Sequence, residues 1–87
     1  MVDAHEAIME DSYMLAAMIT LDPDLTWAPQ PISVDRFGFR VKGGIADAMG
    51  RFLKGETAPL QLYCANLKML RAAIFASRQK QVRSRRT

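Results

Sequence analysis

The two residue types that carry most side-chain chemistry are nearly missing: the 87-residue chain has one cysteine, Cys64, and one histidine, His5. One cysteine allows no internal disulfide, and a single Cys/His pair cannot complete a zinc site. Any Ser–His–Asp or Cys–His relay would have to use His5, in an acidic first turn where nothing orients it as a base. A non-enzymatic chain with no metal and no cofactor is therefore expected. Cys64, between Tyr63 and Ala65, is expected to pack as a small buried hydrophobe. Long apolar runs are also absent. The longest, Met14 to Ile19, falls far short of the ~20 residues that span a bilayer, so no membrane partner is expected. Finally, the first 35 residues contain no Lys or Arg. That is the reverse of the positive leader of a secretory signal, and a reduced, cytoplasmic setting is expected.

These absences bear on stability. A chain this short buries only about 60 % of its unfolded surface. With disulfide and metal excluded, oligomerisation is the remaining way to stabilise it, and a homodimer is expected. The composition, 49 % hydrophobic and 24 % charged, is that of a globular domain rather than a disordered segment. One compact domain over residues 1–77 is expected, followed by a basic extension over 78–87.

Charge is divided by halves. Residues 1–35 hold seven acids, whereas residues 36–87 hold all twelve Lys and Arg with two acids. Such asymmetry points to an interaction surface, or to two halves that neutralise each other on packing.

Periodicity predicts an α+β fold, mostly helical. Ile8, Leu15 and Ile19 recur at helical spacing behind an Asp3-x-x-Glu6 capping box, so a first helix is expected over 4–21, stopped by Asp22-Pro23. Residues 22–31 hold three prolines and read as an irregular connection, with Trp27 either pinning it to the core or standing exposed for a partner. In "ISVDRFGFRVKGG" the apolar alternation slips phase after Val34. This suggests a hairpin or strand over 31–42, turning at Asp35-Arg36. Ile45, Ala48, Met49, Phe52 and Leu53 mark a second helix over 45–54, ended by Gly55. Gly50 inside it implies close approach of another backbone. A third helix is expected over 59–83. It carries one apolar stripe through Leu60, Tyr63, Leu67, Leu70 and Ile74, and a second through Leu62, Met69, Ala73 and Ala76. Helices 1 and 2 can cover the first stripe, and a copy of the chain can cover the second.

Ligand motifs are weak. Asp22 and Asp24 are too few oxygens for calcium. "KGGIADAMG" matches neither glycine-rich phosphate fingerprint. A helix-turn-helix over 45–63 would run its recognition helix through Gly55, Glu56 and Pro59. The strand, helix, longer-helix order of 37–77 resembles ribbon-helix-helix DNA-binding dimers. That likeness would place a two-stranded ribbon in the major groove, with Arg36, Arg40 and Lys42 outward.

Three functions remain. The first is a dimeric nucleic-acid-binding or regulatory protein contacting phosphates through Arg36, Arg40, Lys42, Arg78, Lys80, Arg83, Arg85 and Arg86. The second is an adaptor or inhibitor that docks on a larger protein, with Asp3, Glu6, Glu10, Trp27, Leu62 and Met69 at its interface. The third is a structural subunit whose opposite halves pair between copies.

Overall fold

A computed structural model describes the backbone of residues 5–85 and the side chains of residues 5–80. The chain is α+β, with three helices and a three-stranded antiparallel sheet. The elements run β1 (Glu6–Met9), α1 (Ser12–Leu21), β2 (Thr26–Pro31), β3 (Phe37–Lys42), α2 (Ile45–Leu53) and α3 (Leu60–Arg85). The strand order is β1-β3-β2. Glu6 faces Lys42 and Met9 faces Phe39 on one side of β3, while Thr26 faces Lys42 and Pro31 faces Phe37 on the other. The helices cover one side of this sheet, and the molecule is 18 Å deep along its shortest axis.

The first helix begins later than the spacing predicts. Residues 6–9 form a strand, and the helix starts at Ser12. The Asp11 carboxylate fixes that start by accepting from the backbone N–H groups of Tyr13, at 3.0 Å, and Met14, at 3.1 Å. A strong internal cap overrides the weaker D-x-x-E signal upstream. In the strand, Ala7 and Met9 turn toward the core while Glu6 and Ile8 face out. The stop is as the Asp-Pro pair predicts. Asp22 caps α1, and its side chain accepts from the N–H of Asp24 at 3.1 Å.

The proline-rich connection is also a strand. Prolines are tolerated in β2 because it is an edge. Pro29 and Pro31 stand two residues apart, so both occupy the phase whose missing N–H would point away from β3. The turn between β2 and β3 is centred on Val34-Asp35, one residue before the expected Asp35-Arg36, and Ile32 is an extra residue on the β2 side. The carbonyl of Arg36 accepts from the N–H groups of Ile32 and Ser33, and Arg36 N–H returns to Ser33 O at 3.4 Å. The ribbon-helix-helix likeness ends here. β3 is paired on both edges and has no free edge to share with a second subunit.

After β3, Gly43 turns the chain at φ +126°, a conformation side chains rarely adopt, against Leu25. Helix α2 ends in a Schellman arrangement. Glu56 N–H reaches Arg51 O, and Gly55, at φ +76°, reaches Phe52 O. Gly50 meets no other backbone, contrary to the expectation. A Cβ there would find nothing within 4 Å.

Among the described residues the core is ten: Leu15, Ala16, Met18, Ile19, Leu25, Phe39, Val41, Ile45, Ala48 and Leu70. It lies where α1 and β3 meet α2 and the middle of α3. One polar contact crosses it. Asn66 donates to the Thr20 hydroxyl at 3.0 Å, and that hydroxyl donates to Ala16 O at 2.6 Å, so neither buried group is left unpaired. Trp27 is the anchor of the β2 segment, packing edge-on against Phe39 with centroids 5.8 Å apart. Phe39 therefore joins sheet to helices. Phe39→Ala should lower the unfolding free energy by about 3–5 kcal/mol. Val34→Ala, in the exposed turn, should change it by less than about 0.5 kcal/mol. Urea denaturation followed by circular dichroism measures both, and equal midpoints would refute this packing.

Candidate nucleic-acid interface

The cations of the central strand do not stand free. Arg36 at the end of the turn donates twice to Glu10, through Nε to Oε1 at 3.0 Å and through Nη2 to Oε2. Arg40 Nε lies 3.5 Å from Glu6 Oε1 across the β1–β3 ladder. Glu6 and Glu10, expected on a separate acidic surface, are thus the neighbours of Arg40 and Arg36. The cause is the strand that replaces the front of the predicted helix. Each pair is exposed and contributes at most about 1 kcal/mol, but it removes the local excess of positive charge. Lys42 is exposed and takes part in no ion pair among the described residues.

Helix α3 differs. Its 26 residues include no acid, and none of the ion pairs among the described residues reaches it. Lys68, Arg71, Phe75 and Arg78 follow one another at i, i+3, i+7 and i+10, so they share one side of the helix. All four are exposed, Phe75 to 66 %. Arg71 is oriented by Tyr13. It donates to the phenol oxygen and lies 4.9 Å from the ring centroid. Arg78 lies 5.9 Å from the centre of the Phe37 ring. A cleft of about 220 Å³ opens between them, lined by Glu10, Ser12, Phe37, Arg71 and Arg78. Arg36 pairs with Glu10 at the edge of this cleft, whereas Arg71 and Arg78 rest on aromatic rings and take part in no ion pair among the described residues.

The structure therefore divides the predicted phosphate contacts. Arg36 and Arg78 come together at the Glu10 end of the sheet. Arg40 and Lys42 point to the uncovered side of the sheet, away from α3. Lys80 lies further along α3 beside Pro29 and Ala76. Arg83 and Arg85 belong to α3, but their side chains lie outside the described residues, as do Asp3 and Arg86 altogether. Trp27 is half-buried on the inner side. The exposed aromatic is Phe75, which sequence reasoning missed along with Lys68 and Arg71. Their i, i+3, i+7 spacing was the available signal, masked by the two apolar stripes of the same helix. Leu62 and Met69 are each 47 % exposed. Cys64 is exposed rather than buried, because its position falls on the outer side of α3 near Lys68 and Arg71.

A second, apolar cleft of about 380 Å³ lies between α1, α2 and the start of α3, lined by Tyr13, Met14, Leu21, Phe52, Leu60 and Tyr63 among others. Glu56 stands at its rim, held by two bonds from Arg51 at 2.9 and 2.6 Å. His5 lies in the turn before β1, where its carbonyl accepts from Gly43 N–H at 2.9 Å. Among the described residues no group of three His, Cys, Asp or Glu side chains is placed to hold a metal ion. No helix among them is long and apolar enough to cross a membrane.

The hydrogen bond from Arg51 holds the Glu56 carboxyl below the usual carboxylate range, and the charges of Arg51 and Lys54 act in the same direction against partial desolvation. A carboxyl depressed in the folded state contributes stability above its unfolded pKa and loses it as pH falls through the folded one. A carboxyl-carbon NMR titration should give Glu56 a midpoint below that of an ordinary glutamate, and Arg51→Gln should raise it to the ordinary value. An unchanged midpoint in that variant would exclude the pairing. Comparison with known proteins finds no matching family model, no matching curated sequence and no matching solved structure.

Proposed function

We propose that this chain is a non-enzymatic nucleic-acid-binding protein whose binding surface is the exposed side of α3 rather than β3. The observation that carries the reading is the charge layout. The acids of β1 and its end neutralise Arg36 and Arg40, whereas α3 holds six cations from Lys68 onward with no carboxylate of its own. A polyanion supplies what this helix lacks. Lys68, Arg71, Arg78 and the cations that follow displace the counterions condensed on the phosphates. Phe75, exposed among them, offers a ring on which an unpaired base stacks, so single strands are favoured over duplex. A reduced, cytoplasmic setting suits the exposed thiol of Cys64.

A second reading, an adaptor for a larger protein, is favoured by the apolar cleft at Phe52 and Leu60. The two readings separate on one set of variants. In fluorescence anisotropy with labelled single-stranded and duplex oligonucleotides, about four phosphate contacts predict roughly hundredfold weaker binding at 200 mM salt than at 50 mM. The K68Q/R71Q/R78Q triple variant should flatten the log–log salt slope by about 2 to 3. Phe75→Ala should weaken single-strand binding severalfold and leave duplex binding almost unchanged. Arg40→Gln and Phe52→Ser should alter neither. No binding at ~50 mM salt, or a triple variant with the parental slope, would sink the nucleic-acid reading.

A further inference from the structure

Helix α3 is covered on one side only. Tyr63, Leu67, Leu70 and Ile74 face the core or its margin. A different side carries Leu62, Ala65, Met69, Ala72 and Ala76, all exposed. Their spacing alternates three and four residues, the a/d pattern of a helix seam, and three of the five are alanine, which lets two helix axes approach closely. Lys80 continues the same side beyond Ala76. This seam lies apart from the Lys68–Arg78 side, so occupying it leaves the basic row open.

Charge says what covers the seam. The Thr20–Asn66 and Tyr13–Arg71 contacts show that α1 runs antiparallel to α3. The end of α1 therefore lies beside the first turns of α3. Three carboxylates, Asp22, Asp24 and Asp47, belong to that end, and none has an ion-pair partner among the described residues. Asp22 and Asp47 approach the same glycine, Gly44, and both act on the Arg51 guanidinium, which is already paired with Glu56. The cations Lys80, Arg83 and Arg85 occupy the opposite end of α3, roughly 30 to 38 Å from its start. Each copy thus has an acidic end and a basic end joined by an exposed seam. A parallel pair would set basic end against basic end. An antiparallel pair sets the basic end of each copy against the acidic end of the other.

We propose that the Leu62–Ala76 seam of α3 docks a second copy of this chain in antiparallel orientation, with Met69 at the twofold axis. Leu62 then lies beside Ala76 of the second copy, large against small. Lys80 comes level with residue 58 of the second copy, at the acidic end. The twofold axis is perpendicular to both helices, so the two Lys68–Arg78 rows face the same way. The seam spans only about 21 Å, well below the extent of a standard interface, so assembly is expected in the micromolar range.

The test needs no nucleic acid and so stands apart from the binding reading. In a Cys64→Ser background, Met69→Cys and Leu62→Cys are made separately and oxidised mildly. Both replace half-exposed side chains, and an unchanged helical circular-dichroism signal confirms the fold of each. The antiparallel seam predicts rapid disulfide-linked dimer for Met69→Cys. It predicts almost none for Leu62→Cys, whose two copies sit about 21 Å apart along the axis, far beyond disulfide reach. Light scattering of the parental chain should show dimer at ~200 µM that weakens as salt rises. Equal linking of both variants would mean a parallel pair and overturn the proposal, as would a strict monomer at that concentration.

Discussion

Double-sided pairing of β3 is the constraint on which the remaining structure depends. A strand held on both edges has its faces decided for it. Phe39 and Val41 must enter the core, and Arg40 and Lys42 must leave it. Because β1 is one of the two neighbours, Glu6 is carried to Arg40 and Glu10 to Arg36. Because β2 is the other, Trp27 is carried onto Phe39. The sheet therefore consumes much of the chain's acidic half locally. Helix α3 packs on the inner side, forms no ion pair with those acids among the described residues, and keeps its charge.

This arrangement also explains why the two halves of the sequence look so unlike each other. The acidic half supplies both edge strands and the first helix, and the basic half supplies the central strand and the last two helices. Between the halves, the ion pairs among the described residues form where β1 and its end lie beside β3. Salt bridges of this exposed kind add little to stability. Their effect is on recognition, since they decide which cations remain available.

The helices were legible in the residues because their apolar spacing and end signals agreed. Asp22-Pro23 and Gly55 end their helices where expected, and the 45–54 periodicity is matched to within one residue. The edge strands were less legible for physical reasons. In β1, four residues are too few for alternation to be distinguished from helical spacing, and the deciding signal was the cap at Asp11. In β2, prolines suggest irregular structure unless the strand is known to be an edge, which is a property of the sheet and not of the segment. Arg36 and Arg78 were identifiable from composition, but the pairing of one with Glu10 and the seating of the other on Phe37 are tertiary. Phe75 was hidden because a helix with apolar residues on several sides does not announce which of them is left uncovered.

The order of the strands has a consequence for how the chain assembles. Thr26 and Lys42 pair across 16 residues, and the β2–β3 turn closes that loop locally. Glu6 reaches the same Lys42 across more than twice that length. Loop closure becomes costlier with separation, and non-local pairing slows folding. Loop length therefore favours the β2–β3 hairpin forming ahead of the β1–β3 ladder, so that β1, although it precedes both in the chain, is the last of the three to find its place. Until then Arg36 and Arg40 lack their carboxylates, and a nascent chain passes through a state more basic along β3 than the finished protein ever is.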